Sequence, residues 1–419
     1  MNKIIKESIV LLSIALLSSC GKDNYNSEYP NPSGNDEFTP IVLTKAESIM
    51  TNNINTFGLK LLQQLVAEEP DKNVLISPLS ISLALAMTAG GAEGETAKQM
   101  CEVLGFSGYS TDEMGAYYSK IVSALKIADR NCAFEVANSI WLSKLLDVKQ
   151  SFIKASEAHF ASEVKEHIDF SNPSVTGEIN KWVSDKTHGK IKDLLRDLDP
   201  QTRMVLVNAL YFNGRWGFEW DGSKKETFYS SDGNKSRVEM MHFKDSGIFF
   251  SNNENNQSVS LPYGNGAFLF TVILPDSEAK SFGQFVSSLS EIDYKKSLVD
   301  PSPYIKNVTV KIPSFKIEYK AENLKRQLES IGMILPFSAA ADFSGISEDP
   351  LYISNVVHQT FIDVNLSGTE AAAATAVFRH TLGTTDNSKD IEFIADHPFI
   401  YAIREASTGA ILFLGTKQR

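Results

Sequence analysis

The sequence is poor in the residues that build disulfide frameworks, metal sites and nucleophilic centres. Its 419 residues include only three Cys and seven His, which are scattered, whereas a stapled scaffold or a zinc motif needs clustered ones. It contains no G-x-S-x-G elbow, H-E-x-x-H pair, P-loop or C-x-x-C. Gly264-Asn265-Gly266 lacks the third glycine of a dinucleotide fingerprint and predicts a hairpin turn. No motif therefore supports a hydrolase, and we expect neither a metal ion nor a cofactor.

Charge and hydropathy argue against two further classes of protein. The formal net charge of −11 disfavours non-specific binding to nucleic acid. After the first twenty positions the sequence has no run of about 18 or more apolar residues, so we expect no spanning helix in the mature chain. What is present is an ordinary globular composition, 42% hydrophobic and 22% charged, with ample apolar material for a large core.

The N-terminal segment has the order of features found in export signals. Lys3 and Lys6 form a basic region, and residues 9–17 form a short apolar one. Leu17-Ser18-Ser19-Cys20 resembles the bacterial lipobox, in which the Cys is acylated and becomes the first residue. An ordinary secretory signal that contains a Cys is the alternative. Gly21 follows without an Asp that would indicate inner-membrane retention, so we expect an outer-membrane lipid anchor at Cys20.

Composition then divides the chain into three parts. Residues 1–19 are the predicted lipoprotein signal peptide, and residues 20–43, rich in Asn, Ser, Pro, Gly and Asp, predict a flexible tether. No repeat or domain-scale linker follows, so residues 44–419 are predicted to form one large domain. Cys101 and Cys132 could pair in an exported protein, but two cysteines make no framework, and we interpret them as small buried residues.

Helical patterns dominate the first half of the domain and strand patterns the second, which predicts an α+β fold. Ser77 before Pro78 marks a helix start, and the apolar run 204–212 predicts a central strand. Helix patterns cover residues 46–66, 81–89, 96–104, 112–128, 151–162, 176–195 and 321–331. Other strand patterns cover residues 134–142, 259–263, 267–274, 308–318, 351–366, 399–404 and 410–414.

Five segments, in order along residues 45–419, resemble the signature segments of the serpin family. They are NVLISPLSI at 73–81, LVNALYF at 206–212, the Trp216 that follows, ADFSG at 341–345, and FIADHPFIYAIR at 393–404 with its continuation TGAILFLG at 408–415. The resemblance implies the serpin fold, one domain with about nine helices and three sheets. It also implies an exposed reactive-centre loop at about residues 368–392.

The resemblance further implies a function without catalysis. In inhibitory serpins a protease attacks the exposed loop, is trapped as an acyl-enzyme, and is carried along when the cut loop inserts into the largest sheet. The expected partner of a monomeric chain is then a protease. The alternative is a serpin-fold carrier or surface-binding protein. Such a protein would tolerate Pro or bulky residues at the start of the loop, which this chain lacks.

The moving part implied by the resemblance is the start of the loop, here called the hinge. It comprises Gly368, Thr369, Glu370, Ala371, Ala372, Ala373, Ala374, Thr375 and Ala376. A plain helical turn is one interpretation, since Ala is the best helix former. As an inserting strand, the hinge would place its odd-numbered residues, all Thr or Ala, on the core face, and Glu370 on the other face.

The resemblance assigns two further groups of residues. Ser77, Ser80, Asn208 and His358 match a polar cluster beneath the central strands of the sheet, which must part when the loop enters. Trp216 matches the aromatic residue under the end of the sheet where insertion starts. Buried polar groups need hydrogen-bond partners, so the cluster could act as a latch, or it could be an ordinary part of the core.

Counting at the family's spacing from Gly368 places the attacked bond at Leu382–Gly383. Leu on the acyl side favours proteases with a hydrophobic primary pocket: chymotrypsin-like, elastase-like, subtilisin-like or some cysteine proteases. A cut after Arg379 would instead select trypsin-like enzymes. The chain departs from the family at two related positions. Many members have a Glu and a Lys there that form an ion pair, and this chain has Leu366 and Ser314 instead.

Overall fold

The computed structural model describes residues 38–160, 162–245, 248–276, 281–298, 308–321, 324–354, 356–369 and 390–419. These residues form nine α-helices and three β-sheets, which confirms the predicted α+β class and the expected number of helices and sheets. The helices are α1 Lys45–Glu68, α2 Pro78–Ala89, α3 Gly94–Leu104, α4 Thr111–Ile127, α5 Gln150–Phe160, α6 Ser174–Lys186, α7 Phe282–Ser288, α8 Glu291–Leu298 and α9 Leu324–Ser330. None of them is both long and apolar enough to cross a bilayer.

Sixteen strands make up the sheets in the described residues. They are β1 Leu75–Ile76, β2 Cys132–Ser143, β3 Glu163–Ile168, β4 Met204–Arg215, β5 Gly222–Tyr229, β6 Lys235–Asp245, β7 Phe249–Asn252, β8 Asn256–Tyr263, β9 Phe268–Pro275, β10 Val308–Pro313, β11 Phe315–Ala321, β12 His358–Asn365, β13 Gly368–Thr369, β14 Ile391–Ile394, β15 Phe399–Glu405 and β16 Ile411–Lys417. The sheet that concerns function, here called the main sheet, has the order β11-β12-β13-β4-β2-β3. The other two have the orders β1-β16-β15-β9-β8-β7 and β14-β10-β6-β5.

The main sheet separates two cores of unequal size. On its inner face, Leu206, Leu210 and Phe212 of β4 belong to the large core that also contains α2. Every residue of α2 is buried, as its nearly all-apolar sequence predicts. On the outer face, Val205 and Val207 of β4 pack against α6 in a smaller cluster. Because strand side chains alternate, even-numbered residues of β4 face inwards and odd-numbered ones face α6.

Helix α6 is shorter than predicted. The helical pattern at 176–195 continues past Lys186, where the helix ends. Backbone conformation explains the difference: His188 and Gly189 have φ values of +50° and +75°, and left-handed residues close a helix. The segment that follows packs on the outer face of the main sheet, where Ile191, Leu194 and Leu195 join the smaller cluster.

Three strand predictions also need correction. The pattern at 308–318 is two strands in different sheets, because the chain turns at Pro313, where Ser314 N donates to Glu239 O at 2.8 Å. Among the described residues of the pattern at 351–366, only β12 is a strand, since Ile353 N donates to Pro336 O at 2.9 Å instead of joining the ladder. The sequence predicts one helix after residue 237, but the region also contains α7 and α8.

Described residues that precede the predicted domain boundary at residue 44 also contact the packed domain. Phe38, Ile41 and Leu43 pack partly buried against the core, and Ile41 N donates to Ser407 Oγ at 2.9 Å. The signal peptide, Cys20 and the rest of the tether lie outside the described residues. Cys101 and Cys132 form no disulfide with each other, and Cys132 is buried whereas Cys101, predicted to be buried, is only partly so.

Candidate functional site

The first two hinge residues already lie inside the main sheet. Gly368 and Thr369 form β13, which pairs antiparallel with β12 on one side and with β4 on the other. Thr369 lies between Val364 and Gly214 in one row across the three strands. The hinge from Glu370 to Ala376 and the bond Leu382–Gly383 lie outside the described residues. The sheet thus accepts the start of the segment predicted to insert.

Gly368 is required by its surroundings. Its φ is +144°, and a Cβ atom at this position would lie 2.1 Å from Gly214 O of β4. Residues with a side chain rarely adopt that backbone conformation, and the carbonyl belongs to backbone that cannot swing aside. Only glycine therefore allows the chain to turn from β12 back into the sheet at this point.

Thr369 rests on an aromatic pair beneath the sheet. Its side chain is buried, and the hydroxyls of Thr369 and Tyr263 lie 2.5 Å apart. The Tyr263 ring stacks on Trp216 with centroids 4.6 Å apart, and Trp216 Nε1 donates to Asn365 O at 2.8 Å. Trp216 therefore lies where the resemblance places it, under the end of the sheet where insertion would start. The sequence prediction missed Tyr263.

The buried carboxylate of Asp129 fixes the backbone turn that follows Tyr263. Asp129 accepts from Asn265 N at 2.8 Å, and Asn265 Nδ2 donates to Ala128 O at 3.0 Å. Asp129 also packs so closely that a Cβ on Gly264 would lie 1.9 Å from its Oδ2. These contacts fix the turn directly after Tyr263 to the end of α4. No local pattern in the sequence connects Asp129 with a turn more than a hundred residues away.

Three of the four predicted cluster residues form one hydrogen-bonded group. Ser77 N donates to His358 Nε2 at 3.0 Å, and Ser80 N donates to Ser77 Oγ at 3.2 Å. All three residues are buried. Burial lowers the pKa of His358 to about 3, so the imidazole is neutral and its Nε2 can accept the bond from Ser77.

Asn208, the fourth residue, lies level with His358 but bonds elsewhere. Its Nδ2 donates to Asn138 Oδ1 on β2. In the described structure, the buried Asn208 Oδ1 and Ser80 Oγ have no hydrogen-bond partner. Such atoms are rare in native proteins and are costly to bury. The cluster therefore presents two buried acceptor atoms, Asn208 Oδ1 and Ser80 Oγ, that no other described protein group satisfies.

The strands β4 and β12 keep one parallel register along the whole site. They join directly at the bridge between Leu206 and Val356, and through Thr369 at Gly214 and Val364. Both strands advance by eight residues between these points, so the register is constant. Two residues beyond the bridge, Asn208 of β4 stands opposite His358 of β12. A strand growing from Thr369 would therefore run down to the polar cluster.

The neutral His358 predicts a pH-dependent stability. Below about pH 6.5 an unfolded His takes up a proton, whereas the folded one does not until the pH falls towards 3. Stability is therefore complete above pH 6.5 and declines as the pH falls through that window. The loss at pH 5 should be about 2 kcal/mol.

Denaturant unfolding at about pH 7.5 and about pH 5 tests this prediction. The control is His358→Gln, which has no titrating ring. We expect the variant to be less stable at the higher pH but to lose less on acidification than the parent protein. Equal losses in both proteins would contradict the assignment of the pH dependence to His358.

Comparisons with known proteins identify the family. The sequence profile described as Serpin (serine protease inhibitor) matches residues 52–418. The chain belongs to the serpin family. This confirms the membership predicted from the five sequence segments. The family is described as one of serine protease inhibitors.

Several relatives share the serpin fold at nearly full length. A serine protease inhibitor of Cyanea capillata is 33% identical over 376 residues, covering 85% of this chain and 95% of the relative. The thermophilic serpin tengpin, in its native state, superposes with a TM-score of 0.79 at 30% identity, covering 91% of this chain and 96% of tengpin. Thyroxine-binding globulin in complex with thyroxine superposes with a TM-score of 0.76 at 28% identity, covering 90% and 99%.

Proposed function

We propose that this serpin is a suicide inhibitor that traps a target protease as a covalent acyl-enzyme. The observation that carries the proposal is β13, since two hinge residues are already paired in register between β4 and β12. Insertion would therefore extend an existing strand, and it would separate β4 from β12 starting at a row where the two strands are already apart. The absence of Pro and of bulky side chains in residues 368–376 supports the same function.

The constant register predicts where each hinge residue arrives. Each step along the hinge beyond Thr369 corresponds to one step back along β4 and β12. Six steps bring Thr375 to the row of Asn208 and His358. Thr375 shares the inner face with Thr369, because the two are an even number of residues apart. Its hydroxyl would then reach the cluster in which Asn208 Oδ1 lacks a partner.

The chemistry begins as ordinary proteolysis and stops halfway. The nucleophilic Ser or Cys of the protease attacks the carbonyl carbon of Leu382, the peptide bond to Gly383 breaks, and the Gly383 nitrogen leaves as the new amine. The Leu382 carbonyl stays joined to the protease as an ester or thioester. A strand of about fourteen residues spans roughly 46 Å, so insertion would carry the protease across the domain before water can release it.

The direct test of trapping is a denaturing gel. The mature protein is mixed with a chymotrypsin-like, an elastase-like, a subtilisin-like and a trypsin-like protease. We expect an SDS-resistant complex with enzymes that have a hydrophobic primary pocket. Cleavage of the loop without a complex, and without a gain in heat stability of the cleaved protein, would overturn the inhibitory function.

The cut site is tested by mass spectrometry of the released C-terminal fragment. A fragment that begins at Gly383 supports Leu382 as the acyl donor. A fragment that begins at His380 would show a cut after Arg379 and would overturn the predicted class of target. The variant Leu382→Arg should shift complex formation from chymotrypsin-like to trypsin-like enzymes, because the primary pocket selects this side chain.

A carrier function is the second candidate, because thyroxine-binding globulin shares this fold over 90% of the chain. A carrier would keep the fold without needing insertion after cleavage. The same gel separates the two functions, since a carrier would be cut and released. Heat stability of the cleaved protein gives an independent readout, because only loop insertion adds a strand to the main sheet.

We also propose that the protein is exported and lipid-anchored at Cys20, at the bacterial outer membrane. The order of Lys3, Lys6, the apolar segment and Leu17-Ser18-Ser19-Cys20 supports this proposal. Metabolic labelling with a palmitate analogue, followed by membrane fractionation, should label the parent protein and leave Cys20→Ala unlabelled. Label retained by the variant would contradict acylation at this residue.

Restoring the family's missing acidic residue should not improve inhibition. Leu366 lies in the turn between β12 and β13 and is 43% exposed, and the position of its family partner is Ser314. An exposed ion pair contributes about 0–1 kcal/mol to stability. Both of its charged residues are absent here, so no charge is left without its partner. We expect Leu366→Glu and the neutral control Leu366→Gln to inhibit within about twofold of the parent. A severalfold gain that is specific to Glu would refute this.

A further inference from the structure

The C-terminal end of α1 is acidic, and its own helix supplies no balancing charge. The helix ends at Glu68, the residue that follows is Glu69, and Asp71 comes two positions later. The last turn of α1 contains no basic residue. The aligned peptide dipoles of a helix add roughly half a negative charge at this end. The charges of the side chains and of the backbone therefore reinforce one another at one place on the protein.

Two neighbouring elements hold these carboxylates. The Tyr319 hydroxyl of β11 donates to Glu69 Oε1 at 2.8 Å, and Gln327 Nε2 of α9 donates to Glu68 Oε2. Burial raises the pKa of Tyr319, and the negative charges of Glu69 and Glu68 raise it further, so the hydroxyl stays protonated and can donate. The four residues Glu68, Glu69, Tyr319 and Gln327, here called the α1 junction, thus bring three elements together.

The side chain of Gln327 has an acceptor atom that the junction does not satisfy. Gln327 is only 5% exposed, and its buried Oε1 has no hydrogen-bond partner in the described part of the chain. The amide cannot be turned round, because its oxygen would then face the Glu68 carboxylate, which only accepts hydrogen bonds. A buried carbonyl oxygen is costly without an electropositive neighbour. The acidic helix end and this oxygen therefore both call for a positive group.

Lys72 supplies only part of the missing charge. Its Nζ lies 3.0 Å from Glu69 Oε2, and its side chain is exposed, so this ion pair is weak. Two carboxylates and the half charge of the helix end, set against one ammonium group, leave a charge of about −1.5 at the junction. A divalent cation would neutralise this charge.

The ligand atoms at the junction are all oxygens, and they select the kind of cation. No group of three His, Cys, Asp or Glu among the described residues is arranged to hold a metal ion, which disfavours the sites that zinc prefers. Carboxylate and amide oxygens suit Ca²⁺ and Mg²⁺. Calcium tolerates irregular geometry and completes its shell with water and backbone carbonyls, whereas magnesium demands a near-ideal octahedron. Calcium is therefore the better match.

We propose that the α1 junction binds a calcium ion through Gln327 Oε1 and the Glu68 carboxylate, with Glu69 and water completing the shell. The ion would satisfy the buried oxygen and would join α1 to α9. This inference does not depend on the inhibitory function. So few protein ligands make a weak site, with a dissociation constant on the order of 0.1–1 mM, as in extracellular calcium modules.

The principal ligands lie on two helices that are far apart in the chain. Glu68 and Gln327 are separated by 259 residues. The sequence motifs that argued against a metal ion describe ligands at short, fixed spacings, so they could not reveal this pair.

Thermal unfolding of calcium-free protein, with and without about 5 mM calcium chloride at one scan rate, tests the site. The apparent melting temperature of the parent should rise by about 2–3 °C, because the ion binds the folded state. Glu68→Gln, which removes one ligand charge and keeps the size of the side chain, should lose most of this rise. Glu102→Gln is the matched control, since Glu102 also lies in a last turn that has no basic residue, and it should respond as the parent does.

Gln327→Met separates a calcium site from a general effect of calcium on an acidic surface. The variant keeps both carboxylates and removes the amide oxygen, so its response to calcium should fall as that of Glu68→Gln does. A parental response in either variant would overturn the proposed site. So would a parent protein whose melting temperature does not change with up to about 10 mM calcium, ten or more times the expected dissociation constant.

Terbium luminescence reports binding directly, since terbium replaces calcium and is excited by a nearby aromatic ring. The Tyr319 hydroxyl contacts Glu69, so Tyr319 should be the main donor. Tyr319→Phe should lose most of the sensitised emission and keep the calcium-dependent rise in melting temperature, because Tyr319 supplies no ligand. Emission that excess calcium does not displace, or that Tyr319→Phe retains in full, would show that the ion binds elsewhere and would overturn the assignment.

Discussion

Replacing Thr375 with arginine is expected to convert the inhibitor into a substrate. If the hinge inserts, the register of β4 and β12 would bring residue 375 to the inner face, in the row of the buried Asn208 and His358. An arginine there would bury a guanidinium next to a neutral imidazole, with no carboxylate among the cluster residues to pair with it. An uncompensated buried charge costs several kcal/mol. Insertion should stall before this row, and the protease should hydrolyse the acyl-enzyme and leave.

The measurement for Thr375→Arg is the number of inhibitor molecules consumed per protease inactivated. We expect this ratio to rise about tenfold or more, since a few kcal/mol on the insertion step slow it by orders of magnitude. Glu370→Arg is the matched control, because residue 370 alternates to the outer face and enters the row of the partly exposed Asn213 and Asp363. An unchanged ratio for Thr375→Arg would show that the hinge does not insert in this register.

Replacing Gly368 with alanine should expel β13 from the main sheet. The new Cβ would meet Gly214 O at 2.1 Å, and φ is +144°, a conformation whose strain is about 1–3 kcal/mol for a residue with a side chain. The chain can relieve both by leaving the ladder, which also breaks the bond between Thr369 and Tyr263. Insertion would then have to begin without a paired row, so trapping should slow by about tenfold.

Trp216 provides the structural readout for Gly368→Ala, because it stacks on Tyr263 and donates to Asn365 O next to the hinge. We expect its fluorescence to change in the uncut variant. Gly233→Ala is the control, since Gly233 has a φ of +81° and a Cβ there would have no atom within 4 Å, and it lies far along the chain from the hinge. If both variants trap the protease at the parental rate, then β13 does not prepare insertion.

Local signals in the sequence predicted much of the fold. The capping pair Ser77 and Pro78 begins α2 as predicted, because a side-chain cap and a fixed φ act within one helical turn. The five family segments identified the fold class, since together they span the domain. The hinge was predicted from its small side chains, which can be recognised in the sequence without any knowledge of the rest of the structure.

The remainder depended on contacts between distant parts of the chain. Tyr263 meets Thr369 across 106 residues, and Asp129 meets Asn265 across 136 residues, so no periodic pattern reveals either pair. The split of the strand pattern at Pro313 depends on which sheet each half joins. The end of α6 at Lys186, by contrast, has a local cause that the helical pattern overlooked, since Gly189 takes the left-handed backbone that closes a helix.

The direct junction of Leu206 with Val356 has a consequence for engineering this serpin. It joins two parallel strands in the middle of the main sheet, and an inserted loop would replace it with two antiparallel ladders, the more stable pairing. Under the proposed mechanism the active molecule would be metastable, and its function would depend on that difference in free energy. Substitutions chosen to raise the melting temperature by tightening this junction should yield a longer-lived protein and a poorer inhibitor. Screens for activity and for thermostability should consequently select opposite changes here.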